Sequence, residues 1–187
     1  MQTSQSTTNQ PKHAISTYDG DFFDFENPEA YDYSIYCIAH ALSNICRYGG
    51  HSTKFYSVAE HSVLVSRLVP SHLALTGLLH DASEAFVGDM PSPLKALCPE
   101  YREIEERVHK SIAKYYDLPY PFPPEIKLAD KQAYRAEREQ VTTVDDNVWH
   151  TDIEPSSIDI QCLSPELACW QFMKRYYQII EEQQLAT

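Results

Sequence analysis

Residues 71–87 read SHLALTGLLHDASEAFV, and the placing of two polar groups within this apolar run carries the reading of the fold. Leu73, Ala74, Leu75, Leu78 and Leu79 cover nearly every side of a helix, which predicts one continuous central helix of a bundle. His80 and Asp81 interrupt that apolar surface in mid-helix. An ionised carboxylate buried there costs on the order of several kcal/mol unless it is paired or coordinated. Glu84 follows one turn later on the same flank.

On the N-terminal side, Ser57 and Glu60 have the S-x-x-E spacing of a capping box, so a helix starts at Ser57. It buries Val58, His61, Val65 and Leu68 and closes at Pro70. An earlier helix is predicted from Ser34 to Arg47, with Ile35, Ile38, Ala39, Leu42 and Ile45 on one face and Gly49-Gly50 as its stop. On the C-terminal side, the loop GDMPSPLKALCP leads to a helix over Glu100–Tyr116, whose core stripe is Ile104, Val108, Ile112 and Tyr115. Pro124 suits the first turn of a helix running to Val141. Ser164-Pro165 starts a last helix, with Leu167, Trp170, Met173, Tyr177 and Ile180 facing inward. The sum is an all-α helical bundle.

The 187 residues are most simply one domain. Residues 1–14 read as a disordered polar tail, followed by an aromatic, acidic strap (15–33) with little regular structure. A helical core (34–142), an acidic irregular segment (143–163) and the C-terminal helix (164–182) complete the chain. The net charge of −12 repels nucleic-acid backbones, which argues against DNA or RNA as the main partner. Five cysteines without C-x-x-C spacing indicate neither a disulfide framework nor a thiolate zinc site, which fits a reducing cytoplasm. No secretory leader and no run of about 20 apolar residues is present, so no membrane association is expected.

His61 falls on the apolar stripe of its helix, and Asp130 on the core side of the helix that Pro124 opens. With His80 and Asp81, they put four polar groups on faces that should be buried. One divalent ion would satisfy all four, and two imidazoles with two carboxylates suit Zn²⁺, Mn²⁺, Fe²⁺ or Co²⁺. An anionic substrate on so acidic a protein needs local cations as well. Lys95 and Lys54 are candidates, and Tyr48 reads equally as a core aromatic or as a ring that stacks on a substrate.

The pattern His61, His80-Asp81, Asp130, with the string HDASEAFVGDMPSPLK, resembles the HD-domain metal-dependent phosphohydrolases and their small nucleotidase branch. That resemblance implies an all-α HD fold and His61, His80, Asp81 and Asp130 as metal ligands. It implies catalytic roles for Glu84 and Asp89: positioning the attacking water, accepting its proton, or holding a second ion such as Co²⁺ or Mg²⁺. It also places Arg47 at the phosphate-binding position and implies a homo-oligomer, dimer or hexamer.

Within the branch, AHALSNICRYGGHSTKFYSVAEHSVLVSRL looks closer to the phage DatZ-type dATP triphosphohydrolases. The first expectation is therefore a dATPase that releases deoxyadenosine and triphosphate in the host cytoplasm, depleting dATP in favour of 2-aminoadenine DNA. The alternative is a YfbR-type 5′-deoxynucleotidase acting on deoxynucleoside monophosphates. A third reading, of another class, is a non-catalytic HD module that senses a nucleotide.

Overall fold

The computed structural model describes residues 12–143 and 154–185. Most of the predicted tail and the stretch 144–153 of the acidic segment, His150 included, lie outside the described residues. The predicted strap contains more regular structure than expected. Strands β1 (Ala14–Ser16) and β2 (Phe22–Asp24) pair antiparallel, with Ile15 opposite Phe23, and Pro28–Ala30 form a 3₁₀ turn. Phe23 anchors the ribbon: it is fully buried and stacks on Phe86 at 4.2 Å, with Tyr31 and Tyr33 edge-on around it. Alternation over only three residues per strand is too short to be read against the aromatic content.

The helices are α1 (Ile35–Asn44), α2 (Val58–Leu68), α3 (Ala74–Leu79), α4 (Glu84–Val87), α5 (Ser92–Lys95), α6 (Pro99–Tyr115), α7 (Pro124–Val141) and α8 (Pro165–Leu185). Ile38, Ala39 and Leu42 of α1, Val58, Ala59 and Val63 of α2, and Phe172 and Ile179 of α8 share the main core with Leu78 and Leu79. A second cluster joins Leu64, Val65 and Val69 to Ile126, Ala129 and Ala133 of α7. Among the described residues no helix is long and apolar enough to cross a membrane.

Five expectations change. The first helix ends at Asn44, before Arg47, because Ile45 turns extended and the chain pairs with the stretch entering α2. Arg47 N–H donates to the Tyr56 carbonyl (2.9 Å) and Val58 N–H to that of Ile45 (3.0 Å). The capping box is half formed. Ser57 Oγ accepts from Glu60 N–H (3.2 Å), but the Glu60 carboxylate turns away to accept the backbone N–H groups of Gln161, Cys162 and Leu163.

The central helix is broken, so His80 and Asp81 sit between α3 and α4 and not in mid-helix. The N–H groups of Ala82, Glu84 and Ala85 each donate to a carbonyl three residues back, the tighter 3₁₀ pattern that often marks a functional site. Finally, α8 is rotated relative to the expected face. Ala168, Cys169, Phe172 and Ile179 are buried, whereas Leu167, Trp170 and Tyr177 are more than half exposed. The helix carries apolar residues on two faces, and periodicity does not choose between them. On α6, Val108 and Ile112 are buried as expected, but Tyr115 is exposed, with its hydroxyl bonded to Asp32.

Gly77 sets how closely α3 approaches α2. A Cβ there would stand 3.0 Å from Val69 Cγ2 and 3.1 Å from Ser66 Cα. Ser66 belongs to a buried helix and cannot retreat cheaply, so Gly77→Ala is expected to destabilise by about 1–3 kcal/mol. A calorimetric Tm equal to wild type would show that the two helices can separate without cost.

Candidate metal centre and active site

Three elements bring the candidate ligands to one point. His61 Nε2 on α2 lies 3.3 Å from His80 Nε2, 3.4 Å from Asp81 Oδ2 and 3.2 Å from Asp130 Oδ1 on α7. His80 Nε2 lies 3.2 Å from Asp81 Oδ2. Ligand atoms of His61, His80 and Asp130 all fall within 4.8 Å of one another.

The hydrogen bonds on the far side of each ring fix its tautomer. His80 Nδ1 is 2.9 Å from the Gly77 carbonyl, which only accepts, so Nδ1 carries the proton. His61 Nδ1 is 2.5 Å from Glu137 Oε1, another acceptor, and must donate as well. Both Nε2 atoms of the neutral rings therefore present lone pairs to each other and to two carboxylates. With both rings neutral, four acceptors converge with no donor among them, and a positive charge reconciles them: a second proton on His61 or a bound cation. Burial and the Arg47 charge push His61 down, but Glu137 and Asp130 outweigh both and raise it to about 9. Burial alone would raise Asp81, yet His80, His61 and Arg47 hold it well below the ordinary carboxylate range. The donor set therefore fits a divalent transition ion.

Glu137, fully buried on α7, is the residue that sequence reasoning missed. Its Oε2 accepts from Arg47 Nε (3.2 Å), Arg47 Nη2 (3.0 Å) and Tyr48 Oη (2.6 Å). Its Oε1 accepts from Tyr56 Oη (3.0 Å) and His61 Nδ1. Burial disfavours its charge, but Arg47 and His61 overcome that and keep it ionised far below its usual value. Seven residues after Asp130 is two helical turns, which places Glu137 on the same face. That spacing was the available signal.

Arg47 and Tyr48 lie in the turn after α1, where Tyr48 takes φ 57° and Gly49 φ 57°. This left-handed turn lets both side chains reach Glu137. Arg47 Nη1 stands 3.7 Å from Asp81 Oδ2, beside the cluster. Together with Asp81, Glu84, Asp89, Lys95, Asp130, Lys131 and Tyr134, they line an open cleft of about 510 Å³, a size suited to a small ligand. Tyr48 and Tyr134 form a near-parallel ring pair, 6.2 Å between centroids.

Glu84 is 7% exposed, and its Oε2 is buried with no hydrogen-bond partner among the described residues. Burial first, then Asp81 and Asp89, raise it well above the usual carboxylate value, and burial likewise raises Asp89. Lys95 lines the cleft but gives Nζ to Glu105 Oε1 at 2.6 Å. Lys54 is exposed on the loop before α2 and is not among the residues that line the cleft. Lys131 and Tyr134, unremarked in the sequence, take their place in the cleft wall. His109 is half-buried beside Phe122, with Nε2 lacking a hydrogen-bond partner among the described residues.

An all-helical bundle that joins an adjacent His-Asp pair to a histidine and a carboxylate from flanking helices is the HD-domain arrangement, used by phosphohydrolases. A family model described as "5′-deoxynucleotidase YfbR-like" matches residues 32–147. An Escherichia coli K12 protein named "Uncharacterized protein YfdR" is 38% identical over 170 residues, covering 89% of this chain and 96% of that one. The 5′-deoxynucleotidase of Vibrio atlanticus is 32% identical over 84 residues, covering 43% of this chain and 36% of that protein. One from Pasteurella multocida is 33% identical over the same length. The chain belongs to the YfbR-like 5′-deoxynucleotidase family, HD-type nucleotide phosphohydrolases.

Proposed function

We propose that this protein is a metal-dependent 5′-deoxynucleotidase that removes phosphate from deoxynucleoside monophosphates. The convergence of four acceptor atoms with no donor carries the reading: His61, His80, Asp81 and Asp130 would hold the ion. Bound there, a divalent ion would supply an activated water and polarise the phosphate. Arg47 binds the phosphate oxygens, with Nη1 on the Asp81 side of the cleft. Glu84 orients the attacking water and accepts its proton, its basicity raised by burial first and then by Asp81 and Asp89. The P–O5′ bond breaks and the 5′-oxygen takes a proton from solvent. Tyr48 and Tyr134 line the nucleoside end of the cleft. Asp81, Glu84 and Asp89 are also the groups able to hold a second divalent ion.

Two of the relatives carry the name 5′-deoxynucleotidase, which favours the monophosphate over dATP as substrate. Incubation with dAMP, dATP, dGTP and ATP plus Mn²⁺ or Co²⁺, with products separated by chromatography, tests this. Orthophosphate from dAMP, with dATP intact, is expected. Triphosphate released from dATP would overturn the proposal in favour of a triphosphohydrolase. A protein that binds no divalent ion and stays inert after its addition would be a nucleotide-sensing module.

A further inference from the structure

We propose that Glu137 is a positioning residue that sets the His61 imidazole and the Arg47 guanidinium together, so that one buried carboxylate aligns the cation subsite with the phosphate subsite. This rests on reading the His61 cluster as a metal centre.

A carboxylate offers about four lone-pair positions, and Glu137 receives five donor contacts from four side chains. It has no acceptor capacity to spare. Because it only accepts, His61 must carry its proton on Nδ1, which leaves Nε2 free to ligate. Because Oε2 takes Nε and Nη2 of Arg47, the guanidinium plane is fixed and Nη1 is left beside Asp81. Tyr48 and Tyr56 complete the set from the turn after α1 and the entry to α2, so both subsites share one anchor on α7.

Glutamine cannot replace it in either orientation. With its oxygen toward Arg47, the amide N–H₂ meets the N–H of His61. The ring must then move its proton to Nε2, which removes a ligand lone pair. With its oxygen toward His61, the amide opposes the guanidinium, donor against donor. One subsite fails in each case.

The test compares wild type with Glu137→Gln by calorimetric titration of Mn²⁺ and by steady-state kinetics on dAMP. Glu137→Gln is expected to weaken Mn²⁺ binding by about 10- to 100-fold, to raise KM at saturating Mn²⁺, or both, with native circular dichroism. A merely structural carboxylate would lower Tm and leave both readouts unchanged. Folded Glu137→Gln with Mn²⁺ affinity and KM within twofold of wild type would overturn the proposal.

If that variant does not fold, ¹⁵N NMR of the Zn²⁺-loaded wild type decides. A proton on His61 Nδ1 is required, and one on Nε2 would overturn the proposal. Failure of the wild type to bind any divalent ion would instead sink the metal-centre reading beneath it.

Discussion

Replacing His80 or Asp81 by alanine is expected to bring turnover below detection and to strip divalent metal from the dialysed protein in the same step. His80 Nε2 and Asp81 Oδ2 stand 3.2 Å apart and both face His61 Nε2. Losing either leaves three of the four candidate ligand atoms, and the Asp81 variant also loses a negative charge at the site. The fold should tolerate His80→Ala, since the ring gives the chain one hydrogen bond, to Gly77. Metal analysis and circular dichroism on the same preparation separate site loss from unfolding. A variant that keeps both metal and rate would show that the pair is not the centre.

Glu84→Gln is expected to do the opposite to metal and the same to rate. Glu84 belongs to none of the short contacts among the four candidate ligands, so metal content should persist. Turnover should fall by about 10²–10⁴-fold, the usual worth of a general base. Stability should move the other way. Burial with Asp81 and Asp89 nearby raises Glu84 above its ordinary value of 4.5, so the folded protein holds this proton more tightly than the unfolded chain. Stability is therefore lost as pH rises beyond about 4.5. In chelator-treated protein the glutamine variant should gain on wild type across that rise. Asp81 and Asp130 shift in the opposite direction but are present in both proteins, so the difference reports Glu84 together with its repulsion from Asp81 and Asp89. Denaturant midpoints at pH 4.5 and 7.5 measure it. Equal midpoint changes would mean Glu84 is not strained by burial, and an unchanged rate would remove it from the mechanism.

Helical periodicity reports burial residue by residue, and a charged or imidazole side chain on an apolar face announces that something satisfies it. His61, His80, Asp81 and Asp130 stood out in the sequence for that reason, and so did most helix positions. Where a helix is apolar on two sides the signal is ambiguous, as α8 shows by burying Phe172 and exposing Trp170. Where one acceptor has competing donors, local pattern is equally blind: Glu60 has the spacing of a cap but accepts from the segment before α8.

What the sequence determined alone is the helical class, the polar groups that need partners, and the family signature around HDASE. What the tertiary structure decided is which partners meet. Glu137 lies 76 residues from His61 and 90 from Arg47, and Lys131 and Tyr134 take the cleft position expected of Lys54. Periodicity encodes the direction of a side chain about its own axis, while convergence depends on distances between axes. Those distances are set by packing, as at Gly77, where one missing Cβ lets α3 carry His80 up to His61.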